Sequence, residues 1–227
     1  MHTGNRLVSC HTRTALVCEG HQGLGGLIAE ALIRNGVRVI RASSDPLGAA
    51  QTDSVQLDFL VPASVRHCAE HLAAIGCQPD ILVLNAPALP DGYSAGLDDA
   101  AWARACQLLW TGPLALVRRL LPGMLQGGNG RLIWLTSCAA HRFVAGQAIA
   151  TSLQSGIHGL VRTLAAEYDA QGLKVNALIP TARSSPTALA GQQTASLAFA
   201  RYVAFLASDA AAYVSGQLLV ADVDAVP

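Results

Sequence analysis

Thr14-Ala15-Leu16-Val17-Cys18-Glu19-Gly20-His21-Gln22-Gly23-Leu24-Gly25-Gly26-Leu27-Ile28 decides how the chain folds. Thr14–Cys18 is a short apolar run with β character, and glycines interrupt it. From Gly23 to Asn35 the apolar side chains Leu27, Ile28, Ala31 and Leu32 share one helical face, and Gly36 is the stop. A strand, a glycine loop and a helix in that order offer amide donors and a helix dipole to an anion. Gly23 and Gly25 can serve such a ligand. They can equally serve a tight turn and close packing of helix on strand, which needs no ligand.

Outward from this unit the pattern repeats. Val37–Ile40 and Val55–Leu57 read as strands, and a helix runs from Pro62 to Ile75 with proline in its first turn. Ile81–Leu84 is a continuous apolar strand. A helix spans Leu97 to Leu125, interrupted near Gly112-Pro113. Arg131–Thr136 is the fifth strand, Gln147–Tyr168 a long helix, and Leu173–Ile179 the sixth strand. Leu197–Ser208 is a helix and Gln217–Asp222 the last strand. Uniformly apolar strands alternating with helices predict a Rossmann-like, doubly wound parallel α/β sheet of about seven strands, with helices on both faces. One domain over 13–227 follows a loose N-terminal arm over 1–12. No internal repeat is present.

Composition narrows the function. The chain has 227 residues, 52% of them hydrophobic, and a formal net charge of zero. That balance favours neither a nucleic-acid nor an acidic-membrane partner. No apolar run reaches membrane-spanning length, and Met1–Arg13 lacks the apolar core of a signal peptide. A cytoplasmic protein is expected. The six cysteines form no Cys-x-x-Cys pair and read as reduced thiols. His67 and His71 stand four apart on a helix but have no third ligand, so no metal site is expected. Fourteen of the fifteen basic residues are arginine, and Lys174 is the only lysine.

From Arg13 to Asp222 the chain resembles the short-chain dehydrogenase/reductase family. Gly23 and Gly25 match two glycines of that family's Thr-Gly-x-x-x-Gly-x-Gly motif, while Cys18 and Glu19 stand at its threonine and first glycine. Leu84-Asn85-Ala86-Pro87 matches Asn-Asn-Ala-Gly with the final glycine replaced. Val175-Asn176-Ala177-Leu178-Ile179-Pro180-Thr181 matches Val-Asn-Ala-x-x-Pro-Gly, again without its glycine. The resemblance implies NAD or NADP as cofactor, with Gly23, Gly25, Asp58 and Asn85 around it. Asp58 stands where the family contacts adenine. The places that select between the two cofactors hold Ser43 and Ser44, with Arg41 nearby. Glu19, Pro87 and Thr181 argue that no dinucleotide is held.

The resemblance also implies a catalytic asparagine, serine, tyrosine and lysine. A phenol tuned by a nearby cation exchanges the substrate proton. Only the serine remains, as Ser137. The asparagine position is Leu109, the tyrosine position thirteen residues after Ser137 is Ala150, and the lysine position four further on is Gln154. Lys174 opens a strand far from that helix. Tyr93 is a loop tyrosine that could reach the pocket. His141, four residues after Ser137, suggests a nucleophile–base pair but has no residue to orient it. The segment from Pro180 to Phe205, which closes over substrate in the family, is short, and its stretch Thr181–Ser196 carries little apolar material.

A kept fold with lost chemistry implies a non-catalytic structural or regulatory subunit. It would pair with an active oxidoreductase of the same family, of the ketoreductase or hydroxyacyl-CoA type. The helices near 102–125 and 147–168 are the expected contact, in a homo- or hetero-oligomer. Ala148, Ala150, Ser152, Ser155, Gly156 and Gly159 give the second helix a small surface, suited to a partner helix or to the sheet. Two other readings stand beside this one. They are a non-redox enzyme centred on Ser137 and His141, and an atypical NAD(P)-dependent oxidoreductase.

Overall fold

The computed structural model describes residues 12–45, 53–85, 92–138, 140, 144–180 and 193–221. In chain order these form β1 (Thr14–Cys18), α1 (Gly23–Arg34), β2 (Arg38–Ser43), β3 (Ser54–Gln56), α2 (Pro62–Ala74) and β4 (Ile81–Leu84). Then come α3 (Asp99–Cys106), a π turn (Gln107–Thr111), α4 (Gly112–Gly127), β5 (Arg131–Leu135) and α5 (Ala148–Tyr168). β6 (Lys174–Pro180), α6 (Gln193–Ala207) and β7 (Leu218–Ala221) complete the chain.

The seven strands make one sheet in the order β3-β2-β1-β4-β5-β6-β7, and every pairing is parallel. This is the expected doubly wound α/β architecture. Its cause is visible in the strands, which are apolar on both faces. In β1, Leu16 and Cys18 face one core with Leu72, Leu116, Leu120 and Ile157, from α2, α4 and α5. Ala15 and Val17 face the other, with Ile28 and Leu32 of α1 and Phe199 and Val203 of α6. The period-2 alternation of side chains sends successive residues to opposite layers.

The helix expected over 97–125 is built differently. Asp98 caps α3 by accepting from the Ala101 amide at 2.7 Å. The chain then passes through the π turn without a break, and the Gly112 amide reaches back five residues to the Gln107 carbonyl. Pro113 has no N–H for the carbonyl four residues before it, so regular α bonding must give way here. Gly112 lies so close to Phe59 that a Cβ would meet the Phe59 and Gln107 carbonyl oxygens at 2.7 Å each. The last helix starts at Gln193, four residues before the expected Leu197. Among the described residues no helix is long and apolar enough to cross a membrane.

Candidate active site

The loop after β1 and the start of α1 form one end of the site. Glu19 adopts a left-handed backbone at φ +53°, unlike every other non-glycine residue among those described. Gly23 is left-handed as well, at φ +57°. A Cβ on Gly25 would lie 2.0 Å from the Glu19 carbonyl oxygen. The two glycines are thus required by the turn and by the contact of helix on loop. Position 19 has kept a glycine's conformation while gaining a carboxylate.

That carboxyl is half-buried, and its pKa is raised, first by burial and second by Asp58. Beside it, burial pushes the Cys18 thiol well up, with smaller contributions from Cys68 and Glu19; the Asn85 backbone opposes them. Asp58 itself is used locally. Its carboxylate accepts from the Leu60 amide at 2.8 Å, and its own amide donates to Ser64 Oγ at 2.9 Å.

At the end of β2 the polar side chains are bonded within the chain. Arg41 is paired with Glu30 of α1 at 2.6 Å. Ser43 is buried and donates to the Asp45 carbonyl at 2.9 Å. Glu19, His21, Gln22, Ser43, Ser44 and Asp45 line a hollow of about 70 Å³.

The far end of the site lies where β5 meets α5. Ser137 follows β5, and its amide donates to Gln154 Oε1 at 3.0 Å. One residue earlier, buried Thr136 is hydrogen-bonded through Oγ1 to His158 Nε2 at 3.0 Å. Gln154 and His158 are four apart on α5, hence on one face of it. Ala150 is half-buried one turn before Gln154. Leu109 sits in the π turn and is buried in the core on that side. So Ser137, Ala150 and Gln154 share one region around β5 and α5, as their spacing implied. The bond between Gln154 and Ser137, and the role of His158, were not foreseen.

Lys174 is remote from this region. It opens β6 beside Arg131, at the opposite end of β5 from Ser137, a separation of roughly 20 Å at strand rise. Its ammonium is 2.7 Å from Asp169. Tyr93 is 74% exposed, so the loop tyrosine points its ring into solvent and not into a pocket. His67 and His71 are exposed on α2, and no group of three metal-ligating side chains occurs among the described residues. His141, Ala86, Pro87, Thr181 and Asp222 lie outside the described residues, as do residues 181–192 of the shortened segment after Pro180.

Gly156 seats Trp110 of the π turn, where a Cβ would meet the indole at 2.8 Å. One of the small residues of α5 therefore serves packing within the chain. Ser152, Ser155 and Gly159 face outward.

Residues 13–196 match the model of the short chain dehydrogenase family. The chain belongs to the short-chain dehydrogenase/reductase family. It is similar to the 3-oxoacyl-(acyl-carrier-protein) reductase FabG of Escherichia coli (strain K12). The two are 29% identical over 231 residues, covering 91% of this chain and 94% of the relative. Among solved structures it resembles acetoin dehydrogenase from Enterobacter cloacae, with a TM-score of 0.84 and 22% identity, over 94% of this chain and 95% of that one. It also resembles an NADPH-bound short chain oxidoreductase from Pseudomonas aeruginosa PAO1 described as containing an atypical catalytic center. There the TM-score is 0.82 at 23% identity, over 94% and 96% of the two chains. Both structural likenesses establish the shared fold.

At the end of β5 the Ser137 amide is held by Gln154, whose side-chain oxygen is the acceptor.

Proposed function

We propose that this chain is a non-catalytic subunit of the short-chain dehydrogenase/reductase family. It assembles with an active oxidoreductase of the same family, of the ketoreductase or hydroxyacyl-CoA type. The observation that carries the reading is the bond from the Ser137 amide to Gln154 Oε1. The helix face that a reductase devotes to a phenol and an ammonium is spent here on holding the backbone. With Ala150 and Leu109 at the other two positions, no phenol or ammonium stands at the expected place among the described residues.

The residues of the β1–α1 loop do not fit a dinucleotide. Glu19 puts a half-buried carboxyl where phosphate would lie. If ionised about 5 Å from a phosphate charge, at an effective dielectric near 20, it opposes binding by roughly 3 kcal/mol. The assembly surface in this proposal is the outer side of α4 and α5, where Ser152, Ser155 and Gly159 let a partner helix approach closely.

Two measurements test it. Co-expression with a catalytic family member, followed by native mass spectrometry, should give a mixed oligomer. Fluorescence titration with NADH and NADPH should show no saturable binding below about millimolar concentration, weaker than roughly −4 kcal/mol. A monodisperse monomer that ignores every such partner would overturn the assembly reading. Micromolar cofactor binding would overturn the loop reading and favour an atypical reductase.

A further inference from the structure

The hydrogen bonds at the end of β5 carry an inference independent of any partner. The Ser137 amide donates to Gln154 Oε1 at 3.0 Å, and Thr136 Oγ1 is bonded to His158 Nε2 at 3.0 Å. These are consecutive residues on the strand side and residues one helical turn apart on the α5 side. Thr136 and His158 are both buried, and Gln154 is half-buried. The Thr136 amide is bonded in turn to the Leu178 carbonyl of β6 at 3.1 Å. The end of β5 is therefore tied on one side to the sheet and on the other to α5.

We propose that Gln154 and His158 form a latch that fixes the turn after β5 onto α5, with Gln154 acting as a positioning residue through its oxygen. The chemistry at position 154 is directional. A backbone N–H can only donate, so its partner must be the amide oxygen of Gln154. A lysine ammonium carries three donors and no acceptor. Placed at 154 it would face the Ser137 N–H donor to donor. The position has therefore not merely lost a catalytic group: its hydrogen-bonding polarity is reversed, and the turn is built around that reversal. The Ser137 amide is part-buried, so losing this acceptor leaves it to water or unsatisfied, and the bond constrains the turn locally.

The test separates acceptor chemistry from packing. Amide exchange at Ser137, read by NMR in the full chain, is compared among the parent, Gln154→Glu, Gln154→Met and Gln154→Lys. Amides of Leu164 and Ala165, deeper in α5, serve as reference. Glutamate keeps an acceptor oxygen, methionine keeps the length without one, and lysine keeps length with donors alone. The expected result is near-parent protection in Gln154→Glu. In Gln154→Met and Gln154→Lys, Ser137 exchange should be at least about tenfold faster, with the reference amides unchanged. If Gln154→Lys fails to fold, the contrast between Gln154→Glu and Gln154→Met decides. Equal Ser137 protection in those two variants would overturn the latch. So would acceleration in which Ser137 and the reference amides rise together.

Discussion

Replacing Glu19 by glycine should stabilise the protein, which is unusual for a substitution in a turn beside the core. Glu19 sits at φ +53°, a conformation that costs an L-residue about 1–2 kcal/mol through the clash of its Cβ with the following carbonyl. Glycine removes that cost but brings its own, about 0.5–1 kcal/mol of extra freedom in the unfolded chain. The net backbone gain is between zero and about 1.5 kcal/mol, a rise in Tm of about 2 °C at the centre of that range for a chain of this size.

A second contribution depends on pH. The Glu19 carboxyl is raised, by burial first and by Asp58 second. Between its unfolded and folded pKa values the native state binds more protons than the unfolded state. Stability from this group is therefore fully present below the unfolded pKa and is lost as pH rises through the folded one. The gain from removing the carboxyl appears only above that window. Urea unfolding of the parent, Glu19→Gly and Glu19→Gln, at about pH 4 and pH 7.5, separates the two contributions. Glu19→Gln keeps the left-handed residue and should gain stability at the higher pH alone. Glu19→Gly should gain at both, and more at the higher. A Glu19→Gly variant less stable than the parent at pH 7.5 would refute the strain argument. A Glu19→Gln gain that grew toward low pH would refute the charge argument.

Gly25→Ala should cost at least about 3 kcal/mol, because the new Cβ would lie 2.0 Å from the Glu19 carbonyl oxygen and only backbone movement can relieve it; thermal unfolding by circular dichroism reads this, and a change under 1 kcal/mol would contradict the packing. Asp209→Ala should destabilise by about 1 kcal/mol, because its carboxylate is 79% exposed and water screens the pairs it makes. Asp209 lies 3.6 Å from both Arg13 and Arg131, and Arg131 is only 2% exposed, so the substitution leaves two guanidinium groups without their shared counter-charge. Arg131→Met in the same background should recover most of the loss, and urea unfolding showing additive losses instead would contradict this account.

The elements that were legible from sequence are those whose signal is local. Ile81–Leu84 and Arg131–Leu135 read as buried strands because every residue is apolar or shielded, and the structure places them in the middle of the sheet. The region of Leu97–Leu125 was harder, because its π turn depends on the fit of Gly112 against Phe59, more than fifty residues away in sequence. The resemblance to the family implied that Gln154 stands near Ser137. What Gln154 and His158 do there it did not imply. Their partners lie 17 and 22 residues back, on a strand end, and no periodicity links a helix face to one amide across a turn. Lys174 was legible for the opposite reason: strand register alone puts it at the wrong end of the sheet.

The glycines of the β1–α1 loop can be sorted by what each one does for the backbone. A side chain at Gly25 would overlap the Glu19 carbonyl at 2.0 Å, and one at Gly20 would approach the Val17 carbonyl at 2.7 Å. Those contacts exist without any ligand, so the fold alone is enough to retain both residues. Position 19 also wants glycine, but only to the extent of about 1–2 kcal/mol of left-handed strain, a cost that a well-buried sheet can absorb. If a phosphate had to approach that backbone, the side chain would add steric and electrostatic costs to the strain, and glutamate would be among the least tolerable choices. With no phosphate to accommodate, only the strain remains. Under the proposed non-catalytic role, a loop with Gly20, Gly23 and Gly25 and a glutamate at 19 is the pattern expected when packing alone acts on it.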